Sequence, residues 1–474
     1  MISLNKPDYF SNRYFYPLVF VTFILGIGLG YFSSISAPIL IIGGLLLGIM
    51  AIFIFKQPII GIFLIAFFLP FERIGAYELG ELTIRISQVL AIVTVLGWFF
   101  YQLFNSSFYF KKNPLNLPLT IFLLVNVVSL INAENLERSV SVLIYTIFTV
   151  IFGLLVPQLV TRKEQIDKIV KIIIISAFIV GAFGIFQFLG DTVGLPQSIT
   201  GLRDLYTKEV LGFPRIQSTA LEPLYFANYL LIPLGLLCAL FLSKDLRFKH
   251  YQLALLLVLL GINLVLTVSR GGYLAFTALL VIVGIFYFRS LLTPKKIIIG
   301  ITAIILIFFV ATRFLGLGDS LNLEIFRGHV VNVFYGAAYS ERVETLQTAL
   351  AGFHLHPWVG IGVGGFGPFA AVHPYVPPPE GWRIVNNEFI ELLSEVGLWG
   401  LLSFSVVILI IIFRSLKAIQ IGQDKNLKAV MIGLLAAFVG VLVQYLTFSV
   451  LYIMHVWFLI GLMISVQNII FEKE

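Results

Sequence analysis

Residues 252–289 read QLALLLVLLGINLVLTVSRGGYLAFTALLVIVGIFYFR. Two apolar runs, 252–268 and 271–289, flank a Ser-Arg-Gly-Gly join. A hydrocarbon core about 30 Å thick takes roughly 17–25 helical residues, so each run reads as a membrane-spanning helix. The join then lies at one membrane surface and carries Arg270 with it. A cation at that depth is costly, because it finds little water and few counter-ions. Ser269 before it and Gly271 after it leave backbone close at hand, a setting suited to gripping a phosphate.

Working outward, the same pattern fills the chain. Of 474 residues, 59% are hydrophobic and only 12% are charged, about half the charged share of a soluble domain. The composition therefore predicts an all-α integral membrane protein, a polytopic helical bundle and not a barrel. Fourteen candidate spans fall at 14–32, 37–55, 58–70, 87–104, 115–132, 140–160, 168–190, 224–242, 252–268, 271–289, 297–314, 390–413, 428–446 and 449–468. The third is short, so the expectation is 12–14 transmembrane helices. The first run lacks a small-residue cleavage site and reads as a retained helix, not a signal peptide. The single cysteine, Cys238, excludes an internal disulfide or a cysteine metal site.

Charge sets the orientation. With the N-terminus in the cytoplasm and alternating spans, 20 of the 31 basic residues fall inside, against 7 of the 24 acidic ones. This satisfies the positive-inside rule and places both termini in the cytoplasm. The net charge of +7 thus belongs to a membrane surface, and no nucleic-acid partner is expected. The outer side carries ten arginines and one lysine, whereas the inner side carries five arginines and fifteen lysines. Arginine's planar fork grips phosphate or carboxylate in a partly dry site; lysine suits a hydrated loop. The outer arginines can also pair with the 17 outer acids, but the bias of a whole face points to an anionic substrate on that side.

The spans divide the chain into N-terminal helices over 1–190, an outer loop over 191–223, and helices with the Ser-Arg-Gly-Gly turn over 224–314. A large outer loop with short helices over 315–389 and C-terminal helices over 390–474 complete it. Loops of such length are usually functional. In the first, Arg215 and Glu222 bracket the start of a span, with Glu222 placed where a helix N-terminus favours an anion. In the second, Ser340 reads as the cap of a helix reaching Phe353, with Val343, Leu346, Leu350 and Phe353 as one apolar stripe. Arg342 stands near the start of that helix, where a cation is disfavoured unless an anion relieves it. It can equally snorkel to water or pair with a nearby glutamate.

The segment His354-Leu-His-Pro-Trp-Val-Gly360-Ile-Gly362-Val-Gly-Gly365 contains a literal GxGxxG. No strand precedes it and no acidic partner follows, so it does not read as a dinucleotide site; it reads as a glycine-rich turn. His354 and His356 lack a third ligand, so no metal is expected. Asn386-Asn387-Glu388 then opens a helix on which Glu388, Glu391 and Glu395 share a face. They serve either as counter-ions to Arg270 and Arg342 or, for one of them, as a general base.

Taken together, these pieces resemble the O-antigen ligase and O-antigen polymerase superfamily, bacterial transferases of lipid-linked oligosaccharides. The resemblance rests on Ser269-Arg270-Gly271, on Arg342, and on His356-Pro357-Trp358-Val359-Gly360-Ile361-Gly362. Asn386-Asn387-Glu388 with Leu392, Glu395 and Gly397, and Arg215 with Ser218 through Pro223, extend it over roughly residues 210–410. It implies a glycosyltransferase of the GT-C membrane architecture, metal-independent and inverting, needing no cofactor, at the outer face of the bacterial inner membrane. The implied donor is a glycan on undecaprenyl pyrophosphate, with Arg270 and Arg342 holding the leaving diphosphate. Arg215, Ser269, Gly271, His356, Asn386 and Asn387 would line the substrate, among membrane lipid and with a chain-length regulator as a further partner. One position departs: the ligases carry a histidine where this chain has Asn386, and an amide is no base near neutral pH. Glu222, Glu388 or Glu395 would then assist the acceptor hydroxyl. The departure favours a polymerase over a lipid A-core ligase, with a small-anion transporter as the rival class.

Overall fold

The computed structural model describes residues 37–73, 77–79, 82–104, 110–111, 113–243, 249–291, 302, 337–378, 381–449 and 451–472. The expected spans at 14–32 and, but for residue 302, at 297–314, and the large loop before residue 337, lie outside those residues. Helices α1 (Ala37–Lys56), α2 (Ile59–Phe68), α3 (Ile86–Phe104), α4 (Asn116–Ser129), α5 (Leu136–Leu159) and α6 (Lys163–Thr192) come first. Next stand α7 (Pro223–Ser243), α8 (His250–Leu266) and α9 (Arg270–Leu291), then α10 (Ala337–Leu355) and α11 (Glu388–Glu395). The chain ends in α12 (Gly397–Ile421), α13 (Lys425–Gln444) and α14 (Met454–Phe471). Among the described residues, α3, α5, α6, α7, α9, α12, α13 and α14 are long and apolar enough to cross a membrane. The rest of the apolar set, α2, α4, α8 and the Leu47–Lys56 part of α1, is shorter. The protein is a multi-pass helical membrane protein.

Three helices form the centre. In α7, α13 and α14 the apolar windows are 83%, 72% and 89% buried, against 28% in α9 and 33% in α3 and α12, so the latter three are peripheral. α7 packs along α13 and α9, and α14 along α5. Glycines permit these approaches: a Cβ on Gly235 would lie 2.4 Å from the Gly433 carbonyl, and one on Gly461 would lie 2.5 Å from the Gly153 carbonyl. Small residues at such crossings let helix backbones meet where no hydrophobic gain separates protein from lipid.

Several polar side chains on these central helices bond to each other, as the absence of water in a bilayer core favours. Asn228 of α7 donates from Nδ2 to Gln444 Oε1 of α13 at 2.9 Å, which turns its Oδ1 toward His455 Nε2 of α14 at 2.6 Å. That oxygen only accepts, so Nε2 carries the histidine's proton. His455 Nδ1 then faces the carboxylate of Glu72 at 3.9 Å. Glu72 closes the chain by accepting from the Leu221 N–H at 3.3 Å, which ties the loop before α7 to the loop after α2. Burial raises the Glu72 pKa, and the charge of Arg85 opposes that rise.

Three features differ from the sequence expectation. First, the span expected at 390–413 begins at Gly397, because Gly397 takes φ +67 and ends α11 before the span starts. Second, an antiparallel pair of strands, Tyr77–Leu79 and Leu82–Ile84, stands before α3 with Glu78 opposite Thr83. Three-residue strands carry too little alternation to register beside twenty-residue apolar runs. Third, α10 starts at Ala337, three residues before the expected cap at Ser340. Its buried side is Thr345, Ala349 and Gly352, while Leu346 and Leu350 are each 36% exposed. The apolar stripe is therefore not the packed face. Gly352 sets the contact with α11, since a Cβ there would lie 2.7 Å from Ser394 Oγ.

Candidate functional site

The turn from α8 to α9 is built by its own side chains. Thr267 Oγ1 donates to the Leu264 carbonyl at 2.7 Å, and Val268 takes φ +49 to reverse the chain. Ser269 Oγ accepts the Gly272 N–H at 3.1 Å, a side-chain cap on the first turn of α9. The two glycines are filled from outside. A Cβ on Gly271 would lie 2.1 Å from Thr447 Oγ1, and one on Gly272 would lie 2.8 Å from Ala227 Cβ. Ser269 thus caps the turn from within, while Gly271 and Gly272 seat it against the end of α13 and against α7.

Arg270, partly exposed, is the first residue of α9. The charges that act on it are those of two more guanidinium groups, Arg342 and Arg215. Arg342 projects from the second turn of α10 and is exposed. Arg215 spends two donors on the C-terminal carbonyls of α8, Nε on Thr267 at 3.3 Å and Nη2 on Val268 at 3.4 Å. It also lies 5.6 Å over the ring of Tyr206. Its backbone is pinned, with its N–H donating to the Tyr206 carbonyl at 2.8 Å and the Ile216 N–H to the Leu266 carbonyl at 3.1 Å. Burial lowers the Arg215 pKa and raises that of the Tyr206 phenol. Arg270 and Arg342 have no ion-pair partner among the described residues. Like charges that act on one another in this way favour an anion beside them.

Glu222 precedes α7 and meets the same cluster. Its carboxylate, 46% exposed, lies 3.9 Å from Arg203 Nη1, and Arg215 and Tyr206 sense its charge. Glu388 stands apart: it is buried at the start of α11, with its N–H on the Tyr445 carbonyl at 2.8 Å. Asn387 caps α11 by accepting the Ile390 N–H at 3.2 Å, and Asn386 before it takes φ +58.

Glu395 has both oxygens engaged, accepting the Gly364 N–H at 2.8 Å and the Phe366 N–H at 3.0 Å. Glu391 accepts the Val385 N–H at 2.8 Å. Burial raises the pKa of both carboxyls, against the pull of backbone N–H donors and of Arg138. These are holding roles, and the glycine-rich segment is what they hold. Ile361 and Gly362 donate to the Ser394 and Glu395 carbonyls, and Leu398 donates back to the Pro357 carbonyl. Gly360, at φ +74, and Gly397 face each other's backbones across this contact. A Cβ on Gly360 would lie 2.2 Å from the Glu395 carbonyl, and one on Gly397 would lie 2.4 Å from the Trp358 carbonyl carbon. Gly360→Ala is therefore expected to lose at least about 2 kcal/mol through strain and displaced backbone. A thermal-unfolding midpoint equal to wild type in the purified variant would refute that. His356 is exposed just beyond this contact, its carbonyl accepting the Gly360 N–H at 2.8 Å.

The structure thus gathers Arg215, Arg270, Arg342 and Glu222. It assigns Ser269, Gly271, Asn387 and Glu395 to local architecture. Sequence reading gave no role to Tyr206 or Arg203, and passed over Arg138, whose Nε donates to the Gly364 carbonyl at 3.0 Å and whose guanidinium covers Trp382. Arg138 and Arg203 were visible as members of the outer arginine set. Tyr206 carried no signal of its own.

Residues 255–405 match the family model described as O-Antigen ligase. The match contains Arg270, Arg342, Glu388 and Glu395, and begins after Arg215 and Glu222. No curated protein matches the chain.

Proposed function

We propose that the chain, whose residues 255–405 match the family model described as O-Antigen ligase, is a glycosyltransferase of the O-antigen ligase and O-antigen polymerase superfamily that polymerises a surface polysaccharide. It takes a glycan from undecaprenyl pyrophosphate and joins it to the sugar of another lipid-linked unit, at the outer face of the bacterial inner membrane. The observation that carries this reading is Arg215 bonded to the carbonyls of the α8–α9 turn beside Arg270, where the charge of Arg342 is also felt.

The reaction is an inverting displacement on a GT-C-type scaffold. The acceptor hydroxyl oxygen bonds to the anomeric carbon as the bond from that carbon to the diphosphate oxygen breaks. The electron pair goes to the diphosphate, whose growing charge the fixed guanidiniums meet without a metal. The hydroxyl proton goes to Glu222, the carboxylate candidate that is half exposed and beside the arginines. Glu395 is committed to backbone N–H groups and Glu388 is buried, so both are less suited. Asn386, in a place where the ligases carry histidine, supplies no base; this favours a lipid-linked acceptor over lipid A-core.

A transport path would draw on polar groups at membrane depth, and several of these are bonded within the bundle. Gln187 bonds Ser218, Asn263 bonds the Gly181 carbonyl, and Gln444, Asn228 and His455 bond one another. The test is transfer by the purified full chain in nanodiscs, with a prenyl-diphosphate-linked repeat unit as the sole substrate. Products of two or more repeats, with release of prenyl diphosphate, are expected. Extension seen only when lipid A-core is added would make the chain a ligase, and the polymerase reading would be wrong.

A further inference from the structure

The arginine cluster does not end at Arg215. Arg215 lies over the Tyr206 ring and feels the charge of Glu222, which pairs with Arg203 at 3.9 Å, and the charge of Arg203 in turn acts on Arg73. The order is Arg342, Arg270, Arg215, then Glu222 with Tyr206, then Arg203 and Arg73. These pairwise interactions link five guanidiniums, with the Glu222 carboxylate interacting with Arg215 on one hand and Arg203 on the other.

Arg73 and Arg203 are both tethered. Arg73 donates from Nη1 to the Gly201 carbonyl at 2.8 Å, and Arg203 from Nη1 to the Leu221 carbonyl at 3.3 Å. Each keeps other donors of its fork, and both side chains are exposed. The loops that carry them are stitched together: the Arg73 N–H donates to the Thr219 carbonyl at 3.0 Å, and Thr219 Oγ1 to the Pro70 carbonyl at 2.6 Å. Leu221 adds its N–H to the Glu72 carboxylate. Arg73 and Arg203, each tethered to a backbone carbonyl and near enough for their charges to interact, have one ion-pair carboxylate between them, Glu222 at 3.9 Å from Arg203. Such a pair is preorganised for an anion.

We infer that Arg73 and Arg203 form a second anion subsite that holds a phosphate or carboxylate group of the acceptor, across Glu222 from the donor diphosphate. This rests on the transferase reading and deepens it. A base between two anion grips is the arrangement a two-substrate transfer needs, since each substrate is anchored by its charge and the reacting hydroxyl lies between the anchors. The anion can be the diphosphate of the acceptor's own lipid or an acidic sugar within its glycan.

The experiment compares the full chain in nanodiscs of zwitterionic lipid with its Arg73→Gln/Arg203→Gln variant. The two acceptors are a neutral repeat on a prenyl diphosphate and a soluble oligosaccharide ending in a uronic acid. The acceptor KM should rise at least tenfold for one of them, while the donor KM stays within twofold. A rise with the first alone assigns the subsite to the lipid diphosphate; a rise with the second alone assigns it to the acidic sugar. Acceptor KM within twofold of wild type for both overturns the proposal. Arg73→Gln alone leaves the Arg203–Glu222 pair in place and serves if the double variant folds poorly. Arg73→Lys should recover part of the loss.

If the wild-type chain makes no glycosidic product, the transferase reading falls, and the subsite is judged by titration with farnesyl diphosphate and with glucuronate. Loss of binding in the Arg73→Gln/Arg203→Gln variant but not in Arg270→Gln supports it, and equal binding by wild type and the Arg73→Gln/Arg203→Gln variant overturns it.

Discussion

Arg270→Lys is expected to cut glycan extension at least about 100-fold at equal membrane expression, the scale on which removing one donor to developing charge slows a reaction. Lysine keeps the charge but loses the fork. A guanidinium at the start of α9 can meet two oxygens of one phosphate group, whereas an ammonium offers a single strongly hydrated point. The loss cannot be charged to misfolding of the turn, because other groups build it: Ser269 on the Gly272 N–H, and Gly271 against Thr447. Arg342→Lys should cost less, since Arg342 is exposed and water can replace part of its grip. The measurement is polymer length and the rate of prenyl diphosphate release. Near-normal extension in Arg270→Lys would remove the diphosphate grip from the mechanism.

The broad architecture was legible because the bilayer imposes a length on every helix, and apolar runs of that length stand out in the sequence. The expectation of arginine at one surface and lysine at the other rests on a similar physical ground, since the two cations differ in hydration. What sequence did not disclose depends on contacts between distant segments. The glycines of the Ser-Arg-Gly-Gly turn suggested backbone open to a phosphate, but Thr447 and Ala227 fill the space beside them. The stripe of α10 suggested a packed face, but the close approach to α11 goes through Gly352. Glu388, Glu391 and Glu395 looked alike on one helical face. Only the folded positions of Gly364, Phe366 and Val385, more than twenty residues away in the first two cases, separate their roles.

The sharpest contrast is expected between Glu222→Gln and Glu395→Gln. Glu395 lies 8% exposed and receives two N–H donors. Glutamine there must turn its NH2 group toward one of them, leaving a buried donor facing a donor at a cost of about 1–3 kcal/mol. That variant should unfold at a lower temperature and accumulate less in the membrane, and its activity per folded molecule should be reduced only in proportion to disturbance of the Gly360–Gly365 segment. Glu222 is half exposed, with a single partner at 3.9 Å. Pairs of that kind are worth at most about 1 kcal/mol, so Glu222→Gln should fold as wild type does. Its transfer rate should nevertheless fall by roughly 10²–10⁴, the contribution of a positioned general base, with little change in donor KM. A rate within a few-fold of wild type would mean that the diphosphate leaves without help from this carboxylate. The arginines would then carry the reaction unaided by a base at Glu222.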